Sequence, residues 1–222
     1  YDHLTKTQNS FLHCYFDTED AQISLEEIIR NKEYNFSRYN FFLANYFLSK
    51  NDNIKATNII RESREKYSSN LLLKETEYLL LNKKYKKITN FYNCNNPNDS
   101  LAEFFYVIAN LYSSEKDFQL SNFYLKISHF LNDRFITNNA LLAENFFFQK
   151  KYNEAKNVYM SLKSIGPTYS WYASKNIASI LGTEKTKKDS VKSLEKEFKR
   201  LRNPNYEHYY ELANFYKENE YF

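Results

Sequence analysis

At 222 residues with only 2 Gly and 3 Pro, the chain lacks the turn formers that a continuous β-architecture needs, and helices joined by short polar links fit instead. Its 31 basic and 27 acidic residues are intermingled and leave a net charge of +4, a solvated surface rather than a nucleic-acid footprint. No apolar run approaches the ~20 residues of a membrane-spanning helix, and the 21 Tyr and 19 Phe, with abundant Asn and Lys, read partly as the codon bias of an AT-rich bacterial genome.

In chain order, residues 1–31 carry two apolar stripes, FLHCYF and ISLEEII. The next unit sets a pattern: Ala44, then Phe47 one turn on, the polar break SKND, then Ala56 and Ile60. A weaker unit repeats it, with Thr76 and the bulky Ile88 (of KKYKKI) at the two small positions. Asn93–Ser100, NCNNPNDS, reads as an extended turn. Ala109, Tyr112, Phe118, Ser121 and Leu125 restate the pattern, and Asp133 reads as the N-cap of a helix before Phe135. Ala143, Phe146, Tyr152, Ala155 and Tyr159 follow, closed by Gly166-Pro167. The unit from Trp171 has Ala178, Leu181, Ser190 and Leu194 and closes at Asn203-Pro204. Ala213 and Tyr216 open one more before Phe222.

The anchors thus recur about every 34 residues, a period that means stacked helix pairs, each burying its apolar face on its neighbours. The period crosses every loop, so a single array over 1–222 is expected. The chain starts at Tyr1 without Met and stops inside a repeat, which predicts a piece of a longer protein. Leu212, Phe215 and Tyr216 are then expected to lack a packing partner, so that the last helix frays or borrows a neighbouring molecule.

Chemistry has little support. His3, His13, His129 and His208 have no His or Cys three or four residues away, so no metal site is expected. Two glycines cannot build a phosphate loop, and no G-x-S-x-G is present. Glu26-Glu27 and Glu195/Glu197 read as solvated helix faces. Cys14 and Cys94 read as two small apolar side chains, because a disulfide needs Cα atoms within ~7 Å and a linear stack keeps distant repeats apart. The redox compartment stays open. The basic stretches KKYKK (83–87) and 185–202, with Lys188, Lys192, Lys196, Lys199 and Arg200, read as solvated outer faces, since Asp189, Glu195 and Glu197 interleave. Tyr85 reads as a buried aromatic.

The pattern resembles the tetratricopeptide repeat family, most sharply in residues 141–167, where Ala143, Phe146, Tyr152, Ala155, Tyr159 and Pro167 match its small, aromatic, aromatic, small, aromatic and proline positions. The resemblance implies an all-α, right-handed α-solenoid of about six to seven antiparallel helix pairs. Its units are 1–36, 37–68, 69–100, 101–133, 134–168 and 169–204, with 205–222 incomplete. It also implies that the first helix of each pair lines a concave groove. The residue after each first small residue points into it: Asn45, Asn110, Glu144, Ser179 and Asn214. Asn there suits a peptide backbone, since an amide both donates and accepts. Phe41, Phe42, Tyr106, Leu141, Phe148, Lys175 and Tyr210 are the neighbouring groove candidates. The family's clamp for a C-terminal carboxylate is not visible, since Phe41, Tyr106 and Ala140 stand where Lys or Asn is needed. The expectation is a non-catalytic scaffold for a protein or peptide, without cofactor or metal. The alternatives are a regulatory or sensor module of a larger protein, and an RNA- or anionic-surface-binding module acting through the basic outer helix.

Overall fold

Small residues at the recurring anchors let consecutive helices approach closely, and Ala44, Ala56, Ala109, Ala143, Ala155 and Ala178 are all fully buried. The computed structural model describes residues 2–30 and 37–220, with the backbone alone for 2–4. The expected unit edge after residue 36, the side chain of His3 and Phe222 lie outside them. Among the described residues there are thirteen α-helices, one 3-10 turn and no strand. They form two compact units, Tyr1–Asn138 and Asn139–Phe222.

Unit 1 holds four helical hairpins: α1 (Asp2–Tyr15) with α2 (Ala21–Arg30), α3 (Tyr39–Ser49) with α4 (Asn53–Lys66), α5 (Leu71–Leu81) with α6 (Tyr85–Phe91), and α7 (Pro97–Ser114) with α8 (Phe118–Leu131). The 3-10 turn Ile136–Asn138 closes it. Unit 2 holds α9 (Asn139–Phe148) with α10 (Tyr152–Leu162), α11 (Pro167–Glu184) with α12 (Lys187–Phe198), and then α13 (Tyr206–Glu218).

The links inside the hairpins share one geometry. Asp17, Asn51, Lys83, Lys116 and Lys150 all adopt positive φ, between 51° and 63°. At each, the next residue's N–H returns to a carbonyl five residues back: Thr18 to His13, Asp52 to Phe47, Lys84 to Leu79, Asp117 to Tyr112, Lys151 to Phe146. This is the Schellman stop, which satisfies carbonyls orphaned at a helix end and requires a left-handed residue. Glycine usually fills that position; here polar residues do. Asp52 and Asp117 then cap the following helix, accepting from the Lys55 and Leu120 N–H groups. The α11–α12 link differs. It has no left-handed residue, and Thr186 caps α12 by accepting from the Asp189 N–H.

The small positions work as close contacts. Ser190 Oγ donates to the Ala178 carbonyl at 2.7 Å. A Cβ added to Gly182 would lie 3.1 Å from Ser190 Cβ, so α11 and α12 leave little room there for even a methyl group. In the weaker unit Thr76 and Ile88 are both buried, so Ile88 is accommodated despite its bulk.

Several expectations need correction. Asp133 is not an N-cap, because no helix begins there: residues 133–134 are a turn ahead of the 3-10 turn at Ile136, and the side chain of Asn132, the C-cap of α8, holds that turn by accepting from the Arg134 and Phe135 N–H groups while donating to the Phe91 carbonyl. The turn read at Asn93–Ser100 is shorter, because Asn96 caps α7 and Pro97 begins it, where a missing N–H costs nothing. Tyr85 is half-buried rather than buried, and Tyr152 is half-buried as well. On α13, Leu212 and Phe215 are buried with Trp171, Ala178, Val191 and Leu194, and the Tyr216 hydroxyl donates to Glu195. These side chains have partners in the preceding hairpin.

The largest correction concerns the cysteines. Cys14 of α1 and Cys94, ahead of α7, form a disulfide with Cα atoms 5.5 Å apart. A linear stack would separate them, but α1 lies against α7. Aromatic packing supplies the reason. Phe11 of α1 meets Phe42 at 5.2 Å and Tyr92 at 5.7 Å between ring centroids, Phe42 meets Tyr92 at 4.8 Å, and Phe41 meets Phe135 at 5.3 Å. Burying this many rings together draws the first hairpin onto the fourth.

Candidate functional site

The groove positions expected from the repeat register take different environments in the two units. In unit 1, α3 is a nearly all-apolar helix, YNFFLANYFLS, and such a helix is buried all round. Phe41 and Phe42 belong to the aromatic interior, and Asn45 spends its amide on the Ile88 carbonyl at 3.2 Å. On α7, Tyr106 is half-buried and Asn110 exposed. The unit 1 candidates therefore do not form one open row.

Tyr106 lies under a cation. Arg38 sits 4.0 Å over its ring centroid and 5.0 Å from that of Phe135. The same guanidinium donates twice to Glu103, both at 2.7 Å, and to Asn138 Oδ1 at 2.6 Å. Burial pushes the Glu103 carboxyl above its ordinary value, and Arg38 pulls against that. Asp99 is a parallel case: burial raises it, while the Asn93 N–H and Arg134, whose Nη2 donates to both carboxylate oxygens at 2.6 and 2.7 Å, pull it down. These carboxylates face cations in a packed interior. That arrangement fixes the closure of unit 1, because leaving either charge without its partner is costly.

Unit 2 presents an open row. Leu141, Glu144 and Phe148 on α9 are spaced for one face, as are Tyr172, Lys175 and Ser179 on α11 and Tyr210 and Asn214 on α13, with Glu211 one turn from Asn214 at the edge facing α11. Side chains tie the three helices side by side. The Tyr172 hydroxyl donates to Glu144. Lys175 lies 3.5 Å from Glu211, which also accepts from the Trp171 indole N–H. Burial pushes Glu144 above its ordinary value, with the Tyr172 hydrogen bond opposing. Tyr172 itself is pushed far up, by burial first and by the Glu144 charge second. Phe148 and Tyr210 remain 64% and 67% exposed. Leu141, Ser179 and Asn214 are half-buried. The structure thus brings Leu141, Glu144, Phe148, Lys175, Ser179, Tyr210 and Asn214 onto adjoining helices of one unit.

Sequence reading missed Tyr172, Trp171 and Glu211, which hold this face together. The available signal was spacing: Tyr172 precedes Lys175 by one helical turn, and Glu211 adjoins Tyr210. Glu197 was also misread as solvated. It binds Lys163 at 2.6 Å, Ser174 at 3.1 Å and Arg200 at 2.6 Å. Burial would raise its pKa, but the Lys163 hydrogen bond and charge, with Ser174 and Arg200, outweigh that and hold it below the ordinary range.

The outer helix α12 exposes Lys188, Lys192 and Lys196, and Lys199 and Arg200 are exposed in the turn that follows it. Arg200 pairs with Glu197, and Lys187 with Glu220 at 3.0 Å. The charge there is mixed rather than a continuous basic stripe. Among the described residues no group of three or more His, Cys, Asp or Glu gathers as metal ligands, and no helix is long and apolar enough to cross a membrane.

No protein-family model matches the chain, and no curated protein matches it. Among solved structures it is similar to a tetratricopeptide repeat protein from Parabacteroides merdae ATCC 43184. The identity is 14%, the TM-score is 0.43, and the match covers 97% of this chain and 88% of that one.

Proposed function

We propose that the chain is a non-catalytic helical-repeat scaffold that binds an extended protein or peptide segment across the α9–α11–α13 face of unit 2. One observation carries the reading: the Tyr172–Glu144 and Lys175–Glu211 contacts hold the three helices side by side, while Phe148 and Tyr210 stay exposed on them. Rigid, exposed aromatics are good anchors, because ordering them on binding loses little side-chain entropy. Ser179 and Asn214 add neutral hydrogen-bonding groups suited to a peptide backbone.

The test is selection of binding peptides from a displayed library on the immobilised 222-residue chain, followed by titration of the winners. Phe148→Ala and Tyr210→Ala should each weaken a selected peptide by about 1–2 kcal/mol, with Asn214→Ala smaller. Peptides that bind all three variants as tightly as the parent would overturn the site.

A further inference from the structure

We propose that the cleft between α1 and α7 in unit 1 binds an uncharged hydrocarbon chain, such as the tail of a neutral lipid-like molecule. The cleft has a volume of about 450 Å³, within the range of small-molecule sites. Phe11, Leu12 and Phe16 form one wall, and Leu101, Phe104 and Val107 the other. Leu12, Phe16 and Leu101 are 52%, 68% and 48% exposed, large apolar side chains gathered at one cleft rather than scattered singly over the surface.

The lining also says which chemistry it takes. It contains no Asp, Glu, Lys, Arg or His, so a charged group placed there would lose its hydration without compensation. Its polar members besides Tyr15 are Thr7, Gln8 and Ser100. Thr7 hydrogen-bonds Tyr39, and Ser100 Oγ lies 3.0 Å from the Tyr92 hydroxyl. Few hydrogen-bonding groups remain to satisfy an extended peptide backbone, and a hydrocarbon requires none. The disulfide sits beside this cleft. Cys14 lies between Leu12 and Phe16, and Cys94 lies three residues before Pro97, also in the lining. The crosslink therefore holds the walls at a set separation, which lowers the entropic cost of filling the cleft.

The experiment is a fluorescence titration of the disulfide-intact chain with N-phenylnaphthylamine, an uncharged apolar probe, with dodecanol as competitor. Saturable one-to-one enhancement, reversed by dodecanol, is expected. Leu101→Asp, at a half-exposed position, and Val107→Trp, which fills the cleft, should each lower affinity by about tenfold or more. Leu81→Asp, at an exposed apolar residue outside the cleft, should leave binding unchanged; far-UV circular dichroism checks the fold of all three. Non-saturable enhancement, or enhancement equal in the parent and both cleft variants, overturns the proposal. So does a dimer of the parent chain that Leu101→Asp dissociates, since a second copy would then be the occupant.

Discussion

Replacing both Cys14 and Cys94 by alanine removes a crosslink that closes a loop of 80 residues. In the chain-entropy treatment, a loop of that length restricts the unfolded ensemble by about 4.5 kcal/mol at 25 °C. Alanine keeps the buried position of Cys14 apolar, so the change acts mainly through the unfolded state. With a urea m-value of about 2 kcal/mol/M, the transition that includes unit 1 should fall by about 2 M. The single tryptophan of the chain, Trp171, lies in unit 2 and provides an internal reference. Urea unfolding should therefore be followed by circular dichroism and by tryptophan fluorescence on the same samples, with alkylation and mass measurement to verify the disulfide in the parent. The dichroism midpoint should fall by more than the Trp171 midpoint. Identical midpoints for the variant and a verified disulfide-bonded parent would refute the entropic reasoning. Two alkylated thiols in unreduced parent protein would refute the crosslink itself.

Three other outcomes follow from the same geometry. Arg38→Met should destabilise by about 3–5 kcal/mol in chemical denaturation, because Glu103 is left buried without its cation, and Arg38→Met with Glu103→Leu should recover most of that loss. Lys150→Gly should stabilise by up to about 1 kcal/mol and Lys150→Val should destabilise, since only glycine takes positive φ without a Cβ penalty; the reverse order would discount the Schellman assignment. Glu144 has a raised pKa in the folded state, so the folded protein binds its proton at higher pH than the unfolded chain does. Stability should then fall as pH rises from the ordinary carboxylate range through the raised value. Glu144→Gln should lack that slope, so the parent-minus-variant difference, measured by denaturation across pH, should carry it.

How far the sequence could be read depended on the range of the interactions involved. The small residues at Ala44, Ala109, Ala143 and Ala178 are legible because each acts within its own hairpin, where spacing along a helix dictates which side chains meet. The Schellman stops were harder to see. Their left-handed residues are Asp, Asn and Lys rather than Gly, and only the backbone reveals that Asp17, Asn51, Lys83, Lys116 and Lys150 are equivalent. The unit 2 face was half legible: its register placed Phe148, Lys175 and Tyr210, but not the Tyr172–Glu144 and Lys175–Glu211 ties, which depend on how neighbouring hairpins abut.

By itself, the sequence determined the helical hairpins, their period and the residues that let paired helices touch, because each rests on contacts a few turns apart. Only the tertiary structure decided that α1 lies on α7, that Cys14 reaches Cys94, and that Phe41, Phe42 and Asn45 are buried while Phe148 and Tyr210 stay exposed. The reason is that small differences in packing between successive hairpins add up over several repeats. A local period sets each step and leaves open where the steps converge.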